Sequence, residues 1–167
     1  LKNIPNRDSL LQQMLDYDGR QFYKIGSYRY TNNDRYFYLK RHIDEKTYRL
    51  YYRKSFEAKE ELLYDPKDFK PTSGNPYDIN FIKPSRDGSY MVIAMSYKGK
   101  EVSEMIIYDM KKREVLPYTI DHCWPRSFYG VSWLPDNSGF FYLYFPCIDK
   151  SDPKFRSNSK TVLYRIG

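Results

Sequence analysis

The chain has little with which to do chemistry of its own. It holds two cysteines, Cys123 and Cys147, and two histidines, His42 and His122. Two cysteines make no disulfide framework. One bridge between them is a possibility, two buried free thiols are favoured, and the redox compartment stays open. No phosphate-cradling glycine loop occurs, and two scattered Cys and His pairs fall short of the roughly four close ligands that zinc takes. Neither a metal nor a cofactor is expected. No apolar run approaches the roughly 18 residues of a membrane span, so no membrane partner is expected. No secretory signal is visible, but the chain opens at Leu1 rather than Met. A processed product or a cut piece fits this opening, and the compartment, cytoplasmic or periplasmic, is left undetermined. Alanine is scarce, while tyrosine (19) and phenylalanine (10) are abundant, a bias toward strands over helices.

The net charge of +7 admits an anionic partner. The basic residues are scattered, however, through Arg29, Arg35, Lys40, Arg41, Arg49, Arg53, Lys54, Lys98, Lys100, Lys111, Lys112 and Arg113. On strands such spacing marks solvated faces and guarded edges. Nucleic acid is therefore not the expected partner, because charge alone is a weak sign of it.

What the chain does have is a repeat. Asn33-Asp34-Arg35-Tyr36-Phe37-Tyr38, Ser85-Arg86-Asp87-Gly88-Ser89-Tyr90 and Pro135-Asp136-Asn137-Ser138-Gly139-Phe140-Phe141-Tyr142 each read as a polar turn followed by an aromatic, alternating run. The turn aspartates lie 53 and then 49 positions apart. Propeller blades of four strands recur at about 40–50 residues. The spacing predicts an all-β fold, a partial β-propeller of about two four-stranded antiparallel blades and the start of a third, preceded by a short helix.

That helix is expected to start at Asn6 or Asp8 as cap and to stop at Gly19. Leu10, Leu11, Met14 and Leu15 then share one face, a docking stripe that requires a partner surface. From Phe22 the period falls to two. Strands are expected at 22–30, 35–42, 47–54, 60–64, 77–82, 89–97, 102–109, 113–120, 128–133, 139–145 and 160–166, with a polar, basic loop from Pro146 to Ser159. The expected division is a helical lead-in over 1–19 and a propeller body over 20–167. Blade 1 would take about 20–70, blade 2 about 71–121, and the start of blade 3 about 122–167. Propellers close with four to eight blades, so the chain is expected to be part of a longer polypeptide. Its unpaired edges and helix stripe would make the isolated piece self-associate.

Six segments, in order, resemble the N-terminal propeller region of the prolyl oligopeptidases, serine peptidases of family S9 with an α/β-hydrolase domain. They are Ile4-Pro5-Asn6-Arg7-Asp8-Ser9-Leu10-Leu11, Arg35-Tyr36-Phe37-Tyr38, Leu62-Leu63-Tyr64-Asp65-Pro66, Pro84-Ser85-Arg86-Asp87-Gly88, the Val131–Tyr142 block with Trp133, Asp136 and Gly139, and Val162-Leu163-Tyr164-Arg165-Ile166-Gly167. Arg165 stands where that family usually has His. The resemblance implies a noncatalytic propeller that caps a C-terminal α/β-hydrolase domain and limits access to short peptides, in a parent that cleaves after proline. A Lys/Arg-specific oligopeptidase B-like parent is the alternative. A stand-alone aromatic-rich module that binds proteins or sugars is the reading from another class.

The residues themselves offer no triad. The nearest approach to a G-x-S-x-G elbow is Gly130-Val131-Ser132-Trp133-Leu134, which ends in Leu and lies in a β-run. His42 sits beside Asp44 and Glu45 as a hairpin residue, and His122 is expected in a loop, where neighbouring side chains diverge from Cys123. The chain alone is expected to be catalytically inert. The resemblance makes Phe128 an aromatic lining a substrate subsite and Glu101 an acidic residue near the domain interface. Inter-blade core and an ordinary hairpin position are the competing readings. Trp133, Asp136, Asp87 and Gly88 are assigned to structure: a buried ring between blades and the two turns.

Overall fold

The computed structural model describes residues 5–97, 99–100, 102–125, 130–147, 149 and 151–167. A helix, α1 (Arg7–Gly19), precedes an otherwise β architecture. The first sheet is an antiparallel meander of β1 (Tyr23–Tyr30), β2 (Tyr36–His42), β3 (Arg49–Arg53) and β4 (Glu61–Tyr64), in that order. The second combines β5 (Tyr77–Pro84), β6 (Tyr90–Tyr97), β7 (Ser103–Asp109), β8 (Glu114–Val115) and β9 (Ile120–Cys123) with β10 (Ser132–Trp133), β11 (Gly139–Tyr144) and β12 (Lys160–Arg165). Its spine runs β10-β11-β9-β7-β6-β5, with β12 on β11 and β8 on β7.

Side chains alternate between the faces of a strand, and that alternation builds two cores. Met91, Ile93 and Met95 of β6, with Ile106 and Tyr108 of β7, face the first sheet and meet Phe37, Leu39, Leu50, Tyr52 and Leu63. The intervening Val92 and Ala94, with Met105 and Ile107, face the other way and meet Ile120, Cys123, Trp133, Phe140 and Tyr142. The middle strands therefore bury both faces between neighbours, the arrangement of consecutive blades in a partial propeller.

Four sequence expectations change. The strand expected at 113–120 breaks into β8 and β9, because Pro117 has no N–H for the ladder and pairing ends after Leu116 N donates to Ile107 O (2.8 Å). Strand β9 then bridges two groups of strands. Cys123 lies opposite Ser103 of β7 and also opposite Tyr144 of β11. His122 consequently sits in a strand rather than a loop, at φ 54°. Of the strand expected at 128–133, residues 128–129 lie outside the described residues, 130–131 are not in strand, and Ser132–Trp133 form β10. Both thiols are free, but only Cys123 is buried, whereas Cys147 is half-exposed.

Two details hold the later strands in place. Trp124, Phe145 and Phe155 form a ring cluster, with centroids 4.6, 5.6 and 5.4 Å apart, that anchors the loop before β12. Gly139 lies so close to β12 that a Cβ there would stand 2.2 Å from the Tyr164 carbonyl oxygen. Helix α1 keeps Leu10, Leu11, Met14 and Leu15 exposed, and among the described residues no helix is long and apolar enough to cross a membrane.

Candidate functional site: the rim and mouth of the inner strands

The three repeated turns follow β1, β5 and β10 and share one construction. In each, the fourth residue adopts a left-handed backbone: Asp34 (φ 62°), Gly88 (φ 68°) and Asn137 (φ 59°). Each donates its N–H three residues back, to Thr31 O (3.1 Å), Ser85 O (3.0 Å) and Leu134 O (3.1 Å). Asp, Asn and Gly are the residues that accept this conformation at least cost. Asp87 Oδ1 accepts from Ser85 Oγ (2.8 Å), Ser89 N (3.0 Å) and Ser89 Oγ (2.8 Å). Asp136 Oδ1 accepts from Ser138 N (3.0 Å) and Ser138 Oγ (2.8 Å). Partial burial works against ionisation of Asp87, but the bonds from Ser89 and Ser85 prevail and hold its carboxyl below the usual range. The Ser138 amide and hydroxyl do the same for Asp136.

The turns also touch each other. Asn33 Nδ2 donates to Asp87 O (2.7 Å), and Arg35 Nη1 to Gly88 O (2.8 Å). Arg86 N donates to Asn137 Oδ1 (3.0 Å). The middle turn's backbone is thus satisfied from both sides, by side chains of the first turn and of the third. A Cβ on Gly88 would come within 3.1 Å of Arg35 Cδ and 3.3 Å of Thr31 Cγ2, so a side chain there would crowd both neighbours as well as strain the backbone. Trp133 is 5% exposed, stacks on Tyr90 at 6.3 Å, meets Phe140 edge-on at 5.0 Å and donates Nε1–H to Lys83 O (3.3 Å). It fastens the end of β5 to β10.

Beside this rim, the ends of the three strands line a cavity of about 460 Å³ bounded by Arg29, Lys83, Arg86, Ser132 and Trp133, among others. A second cavity, about 390 Å³, lies on the outer face of the first sheet. There Lys40 Nζ pairs with Glu60 (2.6 Å), stands 4.1 Å from the Tyr23 ring centroid and 5.4 Å from that of Tyr51. Glu60 also accepts from the Tyr38 hydroxyl, which in turn accepts from Arg53 Nε (3.1 Å). Burial, with the Glu60 carboxylate, pushes the Tyr38 hydroxyl up to about 12.

Phe128 and Glu101 lie outside the described residues. Ser132 is exposed on two-residue β10. His42 Nδ1 faces Asp44 (3.2 Å), and His122 stacks on Tyr144 (5.5 Å). Neither histidine has a serine among these partners. Among the described residues no group of three or more His, Cys, Asp or Glu is arranged to hold a metal. Sequence reasoning missed the grouping of Arg29, Lys83 and Arg86, which only the folded topology makes neighbours. It also treated Asn33 and Asn137 as turn formers without seeing the bonds each makes to the middle turn.

The family model for the prolyl oligopeptidase N-terminal β-propeller domain matches residues 1–167. Among solved structures, one from an analysis of two prolyl endopeptidases and the role of inter-domain dynamics in catalysis and specificity superposes with a TM-score of 0.72 at 20% identity, covering 99% of this chain and 24% of that one. Prolyl oligopeptidase B from Galerina marginata bound to a 25mer macrocyclization substrate gives 0.67 at 15% identity, over 95% of this chain and 26% of that one. Its apo form gives 0.64 at 16% identity, over 95% and 26%. At such identities the likeness is one of fold, and the chain spans about a quarter of the length of those structures. No curated protein matches the chain. The family match runs the length of the sequence, and with the radial sheets and the stitched turns it assigns the chain: it belongs to the prolyl oligopeptidase family, as an N-terminal β-propeller domain.

Proposed function

We propose that this propeller is the noncatalytic part of a prolyl oligopeptidase-type serine peptidase. In this reading it caps a C-terminal α/β-hydrolase domain, admits short peptides, and serves cleavage after proline by acyl-enzyme chemistry. The observation that carries the reading is the family match over residues 1–167. Support comes from the convergence of β1, β5 and β10 on one cavity, the geometry of strands around a central channel. In this reading the nucleophile and its triad partners lie in the hydrolase domain. The lead-in over 1–19, the body over 20–167 and blades at about 20–70, 71–121 and 122–167 are the proposed divisions. Phe128 as subsite wall and Glu101 as interface carboxylate remain part of the proposal. In isolation the chain self-associates through the stripe of α1 and the unpaired strand edges.

The test uses the polypeptide encoded with its downstream reading frame. Hydrolysis of a proline nitroanilide, abolished by changing the serine of a downstream G-x-S-x-G elbow, supports the reading. Hydrolysis of an arginine nitroanilide instead would transfer the chain to the basic-specific alternative, and the absence of both activities would remove the peptidase reading. Peptides of 6, 25 and 35 residues then measure the length limit. Equal turnover of all three rules out gating by size.

A further inference from the structure

We propose that the cavity at the ends of β1, β5 and β10 is an anion-binding site that engages the carboxylates of acidic peptides. Three cationic side chains, Arg29, Lys83 and Arg86, line it, and no Asp or Glu does. They are separated by up to 57 positions in sequence and are brought together only by the radial topology. None of the three forms an ion pair with a carboxylate among the described residues. The carboxylates of the adjoining turns are already engaged: Asp87 by Ser85 and Ser89, Asp136 by Ser138, and Asp34 by the Tyr36 hydroxyl (2.9 Å). Those bonds leave the three carboxylates charged but directed into their own turns, so no carboxylate of the lining meets the three cations.

The Arg29 side chain and the backbones of Lys83 and Arg86 are held in place. Arg29 Nη1 donates to Tyr28 O (2.8 Å), and its guanidinium carbon lies 5.9 Å from the Phe81 ring centroid. A guanidinium has five N–H donors, so most remain for a ligand. The Lys83 carbonyl is held by Trp133 Nε1, and the Arg86 amide by Asn137. Ser132 and Asn32 add exposed polar groups, while buried Trp133, Val131 and Pro84 form an apolar floor. A cationic wall over an apolar floor strengthens charge-assisted bonds relative to open water. Three cations spread over a cavity of about 460 Å³ fit an extended segment bearing two or three carboxylates.

That the ligand is a peptide rests on the peptidase reading above; the selection for negative charge does not. The test measures fluorescence anisotropy of the full chain with a labelled hexapeptide of alternating Glu and Ala, and with its Gln counterpart, at 50 mM salt. The acidic peptide is expected to bind at least about tenfold tighter. That margin should shrink several-fold at about 300 mM salt. The variant carrying Lys83→Gln and Arg86→Gln should lose the preference. A control carrying Lys46→Gln and Lys112→Gln, with the same charge removed elsewhere, should keep it, and circular dichroism verifies that both are folded. Four results would each overturn the proposal: equal affinity for the two peptides, no binding of either, an undiminished preference in the cavity variant, or tighter binding of a charge-matched oligothymidylate. Charge selection that persists when the longer polypeptide shows no peptidase activity sinks the peptidase reading and leaves this site standing.

Discussion

Strand β6 buries six consecutive residues, Met91–Ser96, whereas β1 buries none of its eight. Both are eight-residue strands of antiparallel sheets, and both are rich in large apolar or aromatic side chains. The difference is the number of neighbours. Strand β6 has the first sheet on one side and strands β9 to β11 of its own sheet on the other, so residues of both parities enter a core. In the first sheet one parity, Phe37, Leu39, Leu50 and Tyr52, enters the shared core. The other, with Tyr23, Tyr36, Lys40 and Tyr51, makes a surface of rings and paired charges. A run of uninterrupted apolar residues therefore marks a strand covered on both faces. Alternation of apolar with Tyr, Lys and Arg marks a sheet with one covered face.

The sharpest way to break this comparison is to make the same deletion in both places. Ile93 is fully buried and Ile25 is 57% exposed. Ile93→Ala should cost about 2–5 kcal/mol, and Ile25→Ala should stay within about 0.5 kcal/mol. Urea midpoints of the two variants measure the contrast, and similar midpoints would refute the account of one-sided and two-sided burial. A smaller effect is expected where the sheets are joined by turns. Gly88→Ala forces a left-handed alanine against Arg35 and Thr31 and should cost about 1–2 kcal/mol. A neutral result would show that the first sheet is not gauged by its neighbour's turn. The smallest effect is that of pH. The folded-state acidity of Asp87 is enhanced, so its contribution is present above the unfolded value near 4 and is lost as pH falls through the lower folded value. Asp87→Asn should flatten the acid limb of a stability-against-pH curve below about pH 4. An unchanged limb would move the acid sensitivity elsewhere.

Most strand positions were legible because a period of two is a local property. Strands β1 to β7 begin and end within two residues of the expected bounds. The three turns were legible because Asp, Asn, Ser and Gly report left-handed geometry directly. What could not be read is whatever depends on a third segment. Pro117 announces a break, but nothing near Cys123 says that it will pair with both Ser103 and Tyr144. The cationic cavity is hidden for the same reason, since Lys83 and Arg29 look like ordinary strand-end charges until the inner strands are set side by side. Leu10, Leu11, Met14 and Leu15 stay exposed here, and helical spacing alone does not say what would cover them.

The bonds from Asn33 to Asp87 and from Arg86 to Asn137 carry a consequence for how such a chain can vary. One residue added to any of these loops would carry an acceptor about 3.3 Å out of register and strand a donor on the adjacent spoke. Length changes at that rim are therefore felt by two spokes at once, while a loop without such a bond can lengthen at little cost. The segments that betray the architecture to a reader are thus the ones least free to grow.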